Sequence, residues 1–321
     1  MRFTLNVRRY DPEAESPAPY WREYTVDVPE NATVLDCLIY VREYVDGTLA
    51  VRCSCRSAIC GSCMMRVNGQ ARLACATKAK DMQEAGEAIT VEPGGNMPVL
   101  KDLIVDMDVF WNKIRQVKPW LEPVQPAPER EYLVPNETIL DLTVAMNCVM
   151  CGACVSDCTS LEVDKNFIGP AALAKAYRFV DDPRDEARQE RLEELSDYGG
   201  VYDCTHCFFC VEVCPKDVAP LERIVEIRER AQSAGVENNA GTRHAKAFEG
   251  IIRDSGILDE PMLLLKSIGM NPVEQMKNVP GGVRLLRAGK LPLASGPFHH
   301  KIPGHGNVKR LFEKVEATQE A

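Results

Sequence analysis

Apolar and polar side chains alternate at period two in RFTLNVRRY and again in REYTVDVP, a pattern that predicts two half-buried strands. The period changes in TVLDCLIYVREYV. There Val34, Leu35, Leu38, Ile39 and Val41 fall on one face of a helix, with Asn31 or Thr33 available as its cap. MMRVNG and AITVEP predict two further short strands near the turn residues NG. The order strand, strand, helix, Cys-rich loop, strand describes a small mixed domain with a helix over a sheet. Cys37 falls on the buried side of that helix, where a thiol is ordinary core.

PGGN at 93–96 ends this domain, and MPVLKDLIVDMDVFWNKIRQVKPW has the spacing of an amphipathic helix leading out of it. EPVQPAPEREYLVP is Pro-rich and reads as a linker or a wrapping loop. From about residue 140 the spacing is helical. AALAKAYRFV and PRDEARQERLEELS flank a break at Pro183, and PLERIVEIRERAQ opens with Pro220 in the favoured first turn. TRHAKAFEGIIRDSG and EPMLLLKSIG continue that pattern, whereas GGVRLLRAG reads as a turn before a basic helix. The expected fold is α+β. Residues 1–96 form a mixed domain, 97–140 a connecting helix and linker, 141–235 an α-helical domain and 236–321 a C-terminal extension.

At 321 residues, 45% apolar and 26% charged, the chain can bury real cores. Its net charge of −9 gives no general affinity for nucleic acid. The best span candidate, ILDLTVAMNCVMCGACV, is broken by Asp141 and Asn147. MRFTLNVRRY carries neither an apolar signal core nor a twin-arginine leader, so a soluble, cytoplasmic protein is expected, able to reach a membrane through a partner. One segment runs against the acidic whole: from Lys277 to Lys314 there are eight Lys and Arg and a single acid. It reads either as a solvated extension or as a docking segment for an acidic partner or a membrane surface.

The fourteen cysteines change the picture most. They are bunched within a long chain, which favours metal ligation over disulfides. Cys55, Cys60, Cys63 and the more distant Cys75 follow C-x4-C-x2-C…C, the plant-type ferredoxin spacing for a [2Fe–2S] cluster. Small residues between them (Ser57, Ala58, Gly61 and Ser62) let the loop wrap closely. A four-thiolate zinc site is the alternative, though such sites more often use two C-x2-C pairs. Cys53 stands too close to Cys55 to be an easy further ligand.

The other two groups repeat one spacing. Cys148, Cys151, Cys154 and Cys158 form C-x2-C-x2-C-x3-C; Cys204, Cys207, Cys210 and Cys214 form it again and end in Pro215. This is the bacterial two-cluster ferredoxin run, in which the fourth cysteine of each motif serves the other cluster. Cluster A is then expected on Cys148, Cys151, Cys154 and Cys214, and cluster B on Cys158, Cys204, Cys207 and Cys210. Both are expected as [4Fe–4S]. No Gly-rich nucleotide loop or other catalytic equipment accompanies them, so the chain reads as a conductor and not a catalyst. His206 sits between two expected ligands and could tune a cluster, donate to a quinone or face solvent; His299, His300 and His305 read as solvent-facing.

CRSAICGSC, NMPVLKDLIVDMDVFW, CVMCGACVSDC, NFIGPAAL and CVEVCP, in that order, resemble the iron–sulfur subunit of succinate dehydrogenase and fumarate reductase over residues 1 to about 230. The resemblance implies an N-terminal β-grasp ferredoxin domain and an α-helical ferredoxin domain. It implies a flavoprotein (FAD) partner that interconverts succinate and fumarate, a membrane quinone-reactive subunit, and a peripheral position on the cytoplasmic side of the membrane. Three features depart from the common members. Cys207 adds a fourth thiolate to cluster B, which in those members is a [3Fe–4S] centre on the equivalents of Cys158, Cys204 and Cys210; TSLEVDKNF lacks the tryptophan that lines their quinone site, and the chain runs on to residue 321. Together they point to a cysteine-rich anchor subunit in place of the usual one. The alternative is the iron–sulfur subunit of a thiol/disulfide-coupled fumarate reductase complex; a zinc-stapled interaction protein is a third reading.

Overall fold

The computed structural model of the chain describes residues 1–83, 87–269, 272–289 and 301–319. The chain divides into two units, Met1–Ala231 and Gln232–Ala321.

In the first unit the period-two segments become β1 (Arg2–Arg9) and β2 (Tyr20–Asp27). Phe3, Leu5, Val7 and Arg9 all point inward from β1. Arg9 is tolerated there because its guanidinium is met by Asp46 at 2.7 Å and Asp102 at 2.8 Å. Helix α1 (Val34–Tyr40) starts at Thr33, whose side chain accepts from Asp36 N while Asp36 accepts from Thr33 N. Cys37 is fully buried on its inner face, and burial pushes that thiol up to about 12. Strands β3 (Met64–Val67) and β4 (Gln70–Leu73), the short helix α2 (Ala79–Met82) and β5 (Ile89–Glu92) complete the domain. The sheet order is β2-β1-β5-β3-β4, antiparallel except where β1 runs beside β5.

The expected helix after PGGN starts late. Residues 97–107 instead carry a small hairpin of β6 (Val99–Lys101) and β7 (Ile104–Val105), and only then does α3 (Asp108–Gln116) begin. The cause is non-local. Asp102, buried in the hairpin turn at φ 48°, accepts from Arg9 Nε, from Tyr10 N at 3.0 Å and from Ala50 N at 2.8 Å. These bonds fix a turn that apolar spacing alone does not reveal.

The Pro-rich segment after α3 wraps the helical domain. Arg191, buried, donates to the carbonyls of Val117, Lys118 and Trp120 and pairs with Asp185 at 3.0 Å. The domain then runs through α4 (Asn136–Met146), α5 (Ala153–Ser156), α6 (Thr159–Val163), α7 (Pro170–Val180), α8 (Arg188–Ser196), α9 (Phe209–Glu212) and α10 (Pro220–Ser233). Helix α7 is its core, with Pro170 in the first turn and nearly every side chain buried.

The second unit contains α11 (Ala240–Ser255), capped by Asn239 and ended by Gly256 at φ 77°, and α12 (Glu260–Ile268), capped by Asp259. Helix α13 (Pro272–Arg287) runs through Pro280, Gly281 and Gly282, so GGVRLLR lies within a helix and the turn comes after it, at Ala288 and Gly289. Helix α14 (His305–Gln319) is set against α11, where the Arg253 guanidinium lies 5.0 Å from the Phe312 ring. His299 and His300 and part of the basic segment lie outside the described residues. Among the described residues no helix is long and apolar enough to cross a membrane.

Candidate cluster-binding sites

The first cysteine loop lies between α1 and β3. Arg56 and Ala58 sit at φ 54° and 56°, which turns consecutive N–H groups inward as an anion-binding nest does. Their targets are the thiols. Ser57, Ile59 and Cys60 donate to Cys55 Sγ at 3.3–3.4 Å, Ala58 to Cys75 Sγ at 3.2 Å, and Cys75 to Cys63 Sγ at 3.4 Å. Ser62 Oγ lies 3.3 Å from Cys60 Sγ; this hydroxyl and the N–H groups of Cys55 and Ser62 pull the Cys60 thiol down to about 6. Cys63 is the buried member, and burial pushes it up to about 12. Cys53 remains half-buried beside this loop.

The second and third cysteine groups cross over. Cys148, Cys151, Cys154 and Cys214 line one cavity with Met150 and Pro215, and Cys148, Cys151 and Cys154 each feel the Cys214 charge. Cys158 instead joins the other loop: it lies in the field of Cys204 and Cys207, and Cys210 in that of all three. Burial pushes Cys151 up to about 11 and Cys210 to about 12, and it pushes Cys154 well above its ordinary value. Thiols so desolvated become thiolates only beside a compensating cation. Cys207 differs. Burial would raise it too, but hydrogen bonds from Thr159 and from nearby backbone N–H groups carry it below its ordinary value.

Soft thiolates in three fours, with N–H groups aimed at sulfur, fit iron–sulfur clusters. Among the described residues no three His, Cys, Asp or Glu side chains are gathered as one metal ion requires.

Several contributors act through contacts that the cysteine spacing does not announce. Gly61, at φ 73°, brings the first loop onto the second: a Cβ there would stand 2.7 Å from Cys151 Cβ and 2.9 Å from its Cα. Asn96 Nδ2 donates to the carbonyls of Val155 and Cys158 at 2.9 and 3.0 Å, fastening the two domains beside that contact. Arg228 donates to the Cys204 carbonyl at 3.0 Å and meets His206 Nε2, placing a cation at the third loop. His206, at φ 56°, is itself exposed.

Comparison with known proteins agrees with this geometry. A 2Fe-2S iron-sulfur cluster binding domain matches residues 4–112, and a 4Fe-4S dicluster domain matches residues 144–218. The fumarate reductase iron-sulfur subunit of Mycobacterium tuberculosis is 38% identical over 68% of this chain and 88% of its own length. The 8-methylmenaquinol:fumarate reductase iron-sulfur subunit of Wolinella succinogenes is 31% identical over 90% of this chain and 91% of its own, a match that runs into the helical unit beyond Ala231. Among solved structures, a chain of the Mycobacterium smegmatis Sdh1 complex in the apo form superposes with a TM-score of 0.66 at 26% identity, covering 74% of this chain and 98% of that one. With α+β ferredoxin-type domains in that order and relatives of this similarity, the chain belongs to the family of electron-transferring iron–sulfur subunits of succinate dehydrogenase and fumarate reductase.

Proposed function

We propose that the chain relays electrons through three clusters, between an FAD-containing flavoprotein that interconverts succinate and fumarate and a quinone-reactive subunit at the cytoplasmic face of a membrane. In this reading Cys55, Cys60, Cys63 and Cys75 hold [2Fe–2S]. Cys148, Cys151, Cys154 and Cys214 hold [4Fe–4S] cluster A, and Cys158, Cys204, Cys207 and Cys210 hold [4Fe–4S] cluster B. When bound, the clusters supply one-electron carriers whose potentials follow charge, hydrogen bonding and exposure. The chain supplies thiolates, N–H donors to sulfur and the close approach of one loop to the next.

The observation that carries the reading is the meeting of Cys214 with the loop of Cys148–Cys154, with Cys158 passed to the other loop. A quinol and fumarate appear in the name of the Wolinella relative and ubiquinone in that of an Oryza sativa succinate dehydrogenase relative, which supports the two ends of the relay. The place of Cys207 beside Cys158 and Cys210, with Cys204, supports four ligands for cluster B over three. A membrane-anchor or cysteine-rich subunit holds the chain peripherally.

The test is EPR of the anaerobically purified complex, oxidised and then reduced, with flavin, iron and zinc analysis. About ten irons per chain, no zinc and no three-iron signal in the oxidised sample are expected; a three-iron cluster B gives roughly nine. A strong oxidised three-iron signal that persists without exposure to air removes Cys207 from the ligands. A colourless zinc protein overturns the relay altogether.

A further inference from the structure

The C-terminal unit holds none of the cysteines and carries an exposed apolar surface. On α13, Met276, Val279, Val283 and Leu286 recur at intervals of three and four residues and so lie along one side of the helix. All four are exposed, from 39% for Val283 to 72% for Met276. The same turn geometry puts Arg284 and Arg287 along one border of this stripe. Helix α14 repeats the arrangement on a smaller scale, with Leu311 63% and Val315 57% exposed and Lys314 beside them. Lys277, Arg284 and Arg287 against Glu274 on α13, and Lys309, Arg310 and Lys314 against Glu313 and Glu316 on α14, leave both helices net positive within a chain of net charge −9.

We infer that α13 and α14 form an interfacial surface for an anionic lipid bilayer, distinct from the contacts with partner subunits. An exposed aliphatic stripe edged by long cations is the amphiphile that lies in a headgroup layer: apolar side chains enter the acyl boundary while Arg and Lys reach back to phosphate. Charge complementarity selects the sign of the surface, because the acidic remainder of the chain is repelled by the same lipids. A protein groove would also accept one such helix. Net positive charge on both helices, against the acidic rest of the chain, favours an anionic lipid surface.

The experiment is flotation of the full-length, cluster-loaded protein with phosphatidylcholine vesicles, with or without phosphatidylglycerol. Binding to the phosphatidylglycerol vesicles is expected, weakening as salt rises. Arg284→Gln with Arg287→Gln should reduce it roughly twenty-five-fold, at about fivefold per cation. Val283→Asp with Leu286→Asp should abolish it, with visible absorbance and helical content unchanged in both variants. Equal binding to both vesicles, no binding to either, or variants that bind as well as the parent each overturn the inference. So does a result in which the variants lose partner subunits in lipid-free solution while vesicle binding persists.

Discussion

The loops Cys148–Cys154 and Cys204–Cys210 share one backbone and differ in almost everything attached to it. Met150 and His206, each two residues after the first cysteine, take φ 55° and 56°; Gly152 and Phe208, two further on, take φ 84° and 67°. The left-handed pair is what lets three successive cysteines face one side. The first loop is closed in. Gly152 and Ala153 are buried, Met64 and Met97 stand within 3.8 Å of where a Gly152 Cβ would be, and Gly61 touches Cys151. The second is open, with Phe208 58% and Phe209 43% exposed at the same two positions. The shared cysteine spacing goes with one backbone, and the neighbours choose the side chains. The closed loop meets the first cysteine loop within the chain, and the open one presents its aromatic side chains to the surface.

Removing a ligand from each side breaks the likeness most. Cys214→Ser should lose cluster A, because the buried thiols of Cys148, Cys151 and Cys154 are left without their fourth partner. EPR of the reduced protein should then lack that signal, with iron falling by about four. Cys207→Ser should be milder, leaving an assembled protein whose cluster B has three irons and a new signal when oxidised. If Cys207→Ser leaves every spectrum unchanged, Cys207 is not a ligand and the two loops are less alike than their backbones.

Next in size is Gly61→Ala, which attacks the closed side alone. The methyl group meets the Cα and Cβ of Cys151 and the Val149 carbonyl, atoms that cannot swing aside. Left-handed strain costs about 1–2 kcal/mol and overpacking about 1–3 kcal/mol. A thermal midpoint lowered by several degrees is expected, together with slower electron transfer from the [2Fe–2S] site to cluster A in rapid-freeze EPR. The spectrum of cluster B should not move. An unchanged midpoint would mean that the loops tolerate separation and that the contact does not set their spacing.

The grouping of the cysteines was legible because their spacing is local information: three thiols on one loop stand at fixed intervals, and those intervals stand in the sequence. The strands and α1 were legible for the same reason, since Phe3, Leu5 and Val7 or Leu35 and Leu38 announce their period directly. What escaped was non-local. Asp102 makes a hairpin by bonds to Arg9, Tyr10 and Ala50, residues dozens of positions away, and so defeats a helical pattern. The touch of Gly61 on Cys151 spans ninety positions and leaves no mark but a glycine. Thr159 and Arg228 reach the third loop from other helices. Phe208 misleads outright, because a bulky aromatic is a poor signal for left-handed backbone.

That last residue permits the finest test, with opposite signs expected at equivalent positions. At Phe208 the left-handed backbone costs about 1–2 kcal/mol relative to glycine. Phe208→Gly removes this cost but adds about 0.5–1 kcal/mol of unfolded-state freedom. The exposed ring contributes little packing to offset the exchange. A net gain of roughly 0.5–1 kcal/mol is expected in the isolated subunit. At Gly152 the change to Ala runs the other way: the same strain appears, and the new methyl group meets Met64 and Met97 only at ordinary contact distance. A loss of about 1 kcal/mol should follow. Denaturation midpoints of the two variants should therefore move apart from the parent. If Phe208→Gly is destabilising instead, the phenyl ring is holding the open loop in place, and the strain at that position is repaid within the chain and not by a partner.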